Sequence, residues 1–113
     1  MLRNKKLSGI SKPLQLVEQV LVDQGFQRKG SKEAPVYRMN IIDTATHQLY
    51  ALEIPFQEEQ KQNDQLVRLG DAYVRNGMGE EEGVPRSVSW AAACKLSEVA
   101  DYLSTYHRSQ QLH

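Results

Sequence analysis

The sequence predicts an α+β domain with the element order α-β-β-β-α, an antiparallel sheet that carries both helices on one face. Apolar residues recur at helical spacing near the two ends of the chain, over residues 14–22 and 92–106. Between them, two stretches alternate apolar and polar with period two across a short polar segment, as an antiparallel hairpin requires. Strands that follow one another in sequence, with helices outside them, place both helices in one layer on an antiparallel sheet.

Residues 1–10 read as a loose arm or a short edge strand. A helix is expected from Ser11, whose hydroxyl can cap free N–H groups, with Pro13 in the first turn, where its missing N–H costs nothing. Leu14, Val17, Val20 and Leu21 form its stripe, Leu16 and Val22 widen it, and Gly25 ends it. Residues 27–35 are polar and rich in turn formers, giving a loop or a frayed strand. The next strand runs from Val36 to Ile42, with Tyr37, Met39 and Ile41 on one face and Arg38 and Asn40 on the other.

After a turn at residues 43–48, a second strand aligns Tyr50, Leu52, Ile54 and Phe56. Pro55 cannot donate to a ladder, so it marks an edge or an exit. Residues 57–65 hold no apolar side chain and are expected as a solvated loop. A third strand at Leu66–Leu69 meets Gly70, a bulge, before Ala72, Tyr73 and Val74. Residues 76–86 form a second flexible segment. The last helix runs from about Ser89 to His107, with Ser87 and Ser89 as candidate caps and a stripe of Ala92, Leu96, Val99, Leu103 and Tyr106. Residues 108–113 are a flexible tail.

The 113 residues make one domain, 1–113, of ordinary composition, with 40% hydrophobic and 25% charged residues. The lone cysteine, Cys94, excludes an intramolecular disulfide and fits a reducing compartment. Arg3, Lys5 and Lys6 open the chain as a signal peptide would, but Lys12, Pro13, Gln15 and Glu18 break the apolar stretch that should follow. The longest apolar run, Trp90 to Cys94, is far short of a membrane span. A cytoplasmic protein without membrane contact is the expectation.

Short motifs in order also resemble a known family. The helix end Leu21 to Gly25-Phe26 is followed by Leu52-Glu53-Ile54-Pro55-Phe56-Gln57, by Val67-Arg68-Leu69-Gly70, and by a helical segment rich in small residues. Over about residues 14–106 the chain resembles the YugN-like family of small bacterial proteins. It departs from that pattern at Pro35-Val36-Tyr37-Arg38, where an aromatic- and aspartate-rich stretch is expected, and at Asp71-Ala72-Tyr73, where a proline and an aromatic follow the Leu-Gly pair. The resemblance implies an α+β fold and no activity, since the family has no established biochemical role.

The residues give little chemistry. His47, His107 and His113 have no cysteine or second histidine at ligand spacing, so no metal is expected. Cys94 sits beside Lys95, which points about 100° away around the helix, and reads as a packing residue rather than a nucleophile. The glycines at 77, 79 and 83 suggest a phosphate loop, but Glu80, Glu81 and Glu82 would repel a phosphate, which leaves an acidic loop. Glu58 and Glu59, like Asp64 and Asp71, have no apolar surroundings to shift them. No catalytic residue and no cofactor is assigned, and the balance leans away from an enzyme.

Charge is uneven within a formal net of zero. Residues 1–40 carry eight basic and three acidic residues, and residues 41–85 three basic and nine acidic. Arg3, Lys5, Lys6 and Lys12, with Arg28, Lys29 and Lys32, could form a basic surface for nucleic acid, but no aromatics are interleaved with them. Nucleic acid is therefore not the expected partner, and a solvated surface is the plainer reading.

The leading expectation is a non-enzymatic, accessory or regulatory interaction domain. The face opposite the helices presents Val36, Ile42, Leu49 and Ala51 beside Arg38, Asn40 and Glu53, more apolar surface than a solvated face needs, as if a second copy or another protein covers it. The rival is a small-molecule site or enzyme with a pocket between helix and sheet, lined by Tyr37, Tyr50, Tyr73 and Trp90; core packing is the plainer role for these aromatics.

Overall fold

The computed structural model describes the backbone of residues 2–111 and the side chains of residues 2–104. The side chains of Tyr106 and His107, and all of His113, lie outside the described residues, as does part of the expected tail. In chain order the elements are β1 (Ser11–Pro13), α1 (Leu14–Asp23), β2 (Gln27–Gly30), β3 (Pro35–Ile42), β4 (Leu49–Lys61), β5 (Asp64–Leu69), β6 (Tyr73–Arg75) and α2 (Arg86–Gln111). The strands form one antiparallel sheet in the order β1-β5-β4-β3-β2, with β6 also on β4.

The expected α+β fold, with both helices on one face, is the fold observed. Tyr37, Tyr50, Leu52, Ile54 and Phe56 are buried together, with Met39 and Ile41 packed against them. Leu16, Val17, Val20 and Leu21 of α1 and Ala92, Leu96, Val99 and Leu103 of α2 close over them in the same cluster. The hairpin register, Ile42 opposite Leu49 through Val36 opposite Pro55, puts these strand residues on one face. No helix among the described residues is long and apolar enough to cross a membrane.

The sheet has six strands rather than three, and each addition has a physical reason. Residues 57–65 are not a loop. β4 continues to Lys61 and turns through Gln62 and Asn63 into β5. An antiparallel ladder satisfies its backbone whatever its side chains, and Phe56 opposite Leu69 anchors the ribbon to the core. Residues 27–30 form the edge strand β2 against β3.

The N-terminal residues are docked rather than loose. Leu2 N–H donates to the Ala72 carbonyl at 2.8 Å, Gly9 N–H to Leu69 at 2.7 Å, and Leu7 lies in the core. Ser11 caps no helix; it pairs with Arg68 in β1, and α1 starts at Leu14 behind Pro13 with no side-chain cap. Proline disfavours the α conformation of the residue before it, which keeps Lys12 extended. Ser87 and Ser89 likewise lie inside α2, which begins at Arg86.

The bulge expected at Gly70 is present. Leu69 faces Phe56 and Tyr73 faces Glu53, so Gly70, Asp71 and Ala72 stand opposite only Ile54 and Pro55. This explains Pro55, which is neither at an edge nor at an exit but inside the central strand. Its carbonyl accepts the Gly70 N–H at 2.7 Å, and its missing donor faces the disrupted part of the ladder. Residues 76–86 are also more ordered in design than a plain flexible segment: the Asn76 side-chain oxygen accepts N–H groups of Met78 and Glu80, both at 2.9 Å.

Candidate functional site

The sheet face away from the helices carries the polar chemistry. Paired residues in an antiparallel ladder share a face, so Gln27, Arg38, Glu53 and Tyr73 form one row across β2, β3, β4 and β6. Ala51 and Arg75 form the row beside it, and Val36 and Pro55 the row on the other side. Residues 8–9 of the N-terminal segment and the β2–β3 turn stand up as walls, enclosing a cleft of about 810 Å³ over this face.

Glu53 lies on the floor of the cleft and is only 2% exposed. A buried carboxylate is costly unless paired, and Glu53 is paired twice. Arg38 Nε donates to its Oε2 at 2.6 Å, and Arg75 Nε lies 3.4 Å from Oε1. Arg75 Nη2 donates to the Tyr73 hydroxyl oxygen at 3.4 Å, and its guanidinium sits 4.8 Å from the Tyr73 ring centroid. Burial raises the pKa of the Tyr73 phenol, and its hydrogen bond to the Glu53 carboxylate raises it further. The result is an interlinked Arg–Glu–Arg–Tyr cluster, all four members of which line the cleft.

The walls follow from local backbone chemistry. Gly30 has φ +87°, and a Cβ there would lie 2.4 Å from the Ala34 carbonyl oxygen, so only glycine closes this turn. Gly70 sits flat against Pro55, where a Cβ would lie 3.2 Å from Pro55 Cγ. Val36, buried at the cleft floor, and Pro55 supply apolar lining between the charged ends.

A second cluster sits on the helix side and serves the fold. Arg28 of β2 bridges Glu18 of α1, at 3.2 Å, and Glu58 of β4, and lies 5.0 Å over the Phe56 ring. Tyr37 stacks on Phe56 with centroids 4.3 Å apart and donates to Glu18 at 3.4 Å. Burial, followed by the Glu18 charge, drives the Tyr37 phenol well above its ordinary pKa. Arg28 is thereby withdrawn from any basic surface. Lys12 of β1 lies at the opposite edge of the sheet from Arg28 and Lys29 of β2, whereas Arg3 lines the same cleft as the β2–β3 turn.

The residues singled out from sequence divide. Of Val36, Arg38, Ile42, Leu49 and Ala51, the first two belong to the cleft. Ile42 and Leu49, opposite each other at the hairpin end, are 61% and 50% exposed, and Ala51 is half-buried. The four aromatics do not line one pocket. Tyr37 and Tyr50 are core residues, Tyr73 is on the outer face and Trp90 is exposed on α2. The pocket lies on the opposite side of the sheet because the space between helices and sheet is filled by aliphatic and aromatic side chains. Cys94 is exposed rather than packed. His47 is the left-handed residue of the β3–β4 turn, with φ 60°. Among the described residues no three His, Cys, Asp or Glu side chains converge as for a metal.

Arg75 and Arg68 were not singled out as a site by sequence, and Glu53 was placed on the outer face beside Arg38 without a role of its own. The available signal was Glu53 itself, a charge between Leu52 and Ile54 whose hairpin partner is Arg38. Arg75 could not be added without the bulge that brings β6 back to β4.

No family model matches the chain, and no curated protein matches it. Among solved structures it is similar to the crystal structure of the uncharacterised conserved protein YugN from Geobacillus kaustophilus HTA426, with a TM-score of 0.75 and 14% sequence identity over 94% of this chain and 97% of that one. The shared feature is the fold: this chain has a YugN-like α+β architecture.

Proposed function

We propose that the chain is a non-enzymatic binding domain that receives a small ligand in the outer-face cleft. The observation that carries this is Glu53, a carboxylate buried on a face no helix covers, fixing two arginines at the bottom of a cavity of ligand-binding size. Its charged groups are paired with one another instead of being set as nucleophile and base, which supports binding over catalysis. Membership of the YugN-like family, suggested by the ordered motifs and the shared fold, and a cytoplasmic setting, suggested by the lone cysteine, belong to the same reading.

The test is a fragment screen of the full chain, read from amide shifts in two-dimensional NMR, with charged and neutral compounds alike. Shifts confined to residues such as Val36, Gly70 and Tyr73 are expected. Hits that map only to the helix layer, or none at all, would remove the cleft as the site.

A second reading concerns self-association, favoured by the exposed Ile42–Leu49 pair at the hairpin end. A second copy covering this pair gives a homodimer through the hairpin ends. Sedimentation of the wild type and of a Leu49→Ser variant tests it: a wild-type monomer at high concentration ends the idea.

A further inference from the structure

From the chemistry of the cleft we infer the class of its ligand: a small amphipathic acid, with one oxyanion head and an apolar body. The inference rests on the cleft being the binding site proposed above. The head group is set by the two arginines. Arg38 and Arg75 each direct Nε to Glu53, and their side chains remain 39% and 45% exposed. Arg75 Nη2 is also drawn to the Tyr73 hydroxyl at 3.4 Å, so the two side chains line the cleft with one nitrogen of Arg38 and two of Arg75 already held, and less rotamer freedom remains to be lost on binding. Glu53 offsets one of the two positive charges, which leaves one to be matched by a carboxylate or a phosphate ester.

The rest of the lining argues for a single head and against a polyanion. Arg3 adds one further positive charge to the lining, but Arg68 is held by Glu59 at 3.2 Å, and Glu33 and Asp71 place two negative charges in the walls. A nucleic-acid backbone would meet those carboxylates as well as the arginines. The body of the ligand is set by Val36, Pro55 and the bare backbone of Gly70, an apolar strip beside the charged row. About 810 Å³ accommodates a body of drug-like size.

The experiment titrates the full chain with benzoate, phenyl phosphate and the neutral benzamide, reading the Nε–H signals of Arg38 and Arg75 and the amides of Val36 and Gly70. At least one of the two acids is expected to shift these signals with an affinity about tenfold or more above benzamide, the size of one charge-assisted hydrogen bond. Which acid does so separates a carboxylate head from a phosphate. Arg38→Gln and Arg75→Gln, with their amide spectra otherwise native, are expected to weaken binding by a similar factor. Benzamide binding as tightly as both acids overturns the anionic head while leaving the cleft a site. Silence from all three compounds, where the unbiased fragment screen still finds the cleft, overturns the ligand class alone, and silence in both experiments overturns the site. The comparison with benzamide needs no variant, so it stands even where a substitution disturbs folding.

Discussion

Leu52 and Glu53 are neighbours in one strand and almost equally buried, at 0% and 2% exposure, yet they are buried by different means. Leu52 closes the core beneath both helices, where burial is by close packing of aliphatic and aromatic groups. Glu53 points the other way, where burial is by two half-exposed arginines and a phenol. One face is filled and the other is walled but open. A filled face leaves no room for a ligand, whereas a face whose charges are held in place around a cavity is prepared for one.

The contrast predicts unequal responses to truncation. Leu52→Ala leaves a void that packed neighbours cannot fill and is expected to cost about 3 kcal/mol in chemical denaturation. Gly30→Ala, at a wall of the cleft, must move the Ala34 carbonyl or abandon its positive φ, and is expected to cost about 2 kcal/mol. Glu53→Gln is expected to cost less, ~1–2 kcal/mol, because Arg38 and Arg75 can turn back into water when their anion is removed. A Glu53→Gln loss equal to that of Leu52→Ala would break the distinction between the two faces.

Each face also holds one phenol raised above its ordinary pKa of 10.0, Tyr37 under the helices and Tyr73 in the cleft, in both cases first through burial. Below pH 10 the phenols are protonated in the folded and unfolded chains alike, and the stability they confer is fully present. Above pH 10 the unfolded chain releases protons that the folded chain keeps, so stability falls as pH rises, by up to about 1.4 kcal/mol per pH unit for each proton. Denaturation measured across this range is expected to show a shallower decline in Tyr37→Phe, and a smaller relief in Tyr73→Phe. Equal slopes in wild type and Tyr37→Phe would show that the helix-side phenol is not linked to folding.

The helix-covered face was largely legible in the sequence and the open face was not. Tyr37, Tyr50, Leu52, Ile54 and Phe56 alternate with polar residues, and period two assigns them to a common side without any knowledge of topology. Arg38 and Val36 were placed on the opposite side by the same alternation. The cleft above them needed more. Its walls come from residues 8–9 and 30–35, and its second arginine from a strand of three residues beyond a bulge, so it exists only after long-range pairing. The polar run 57–65 misled for a related reason. Periodicity reports which side chains are buried, and a ribbon that projects past the helices buries few, while its backbone pairs all the same.

That ribbon allows the smallest test, in a part of the sheet that neither face explains. It turns through two residues, Gln62 and Asn63, between the paired Lys61 and Asp64. Only Gln62 has positive φ, at 54°, and in two-residue hairpins a first position of that kind favours glycine. Gln62→Gly is expected to remove this strain and stabilise the protein by about 0.5 kcal/mol, after the entropy glycine adds to the unfolded chain. Because the turn lies beyond both helices and cleft, the gain should appear in the hydrogen-exchange protection of Glu58 to Leu66 without changing ligand affinity in the cleft. A loss of protection there would mean that Gln62 is held by contacts its polar surroundings give no reason to expect, and that the ribbon is part of a surface rather than an extension of the ladder.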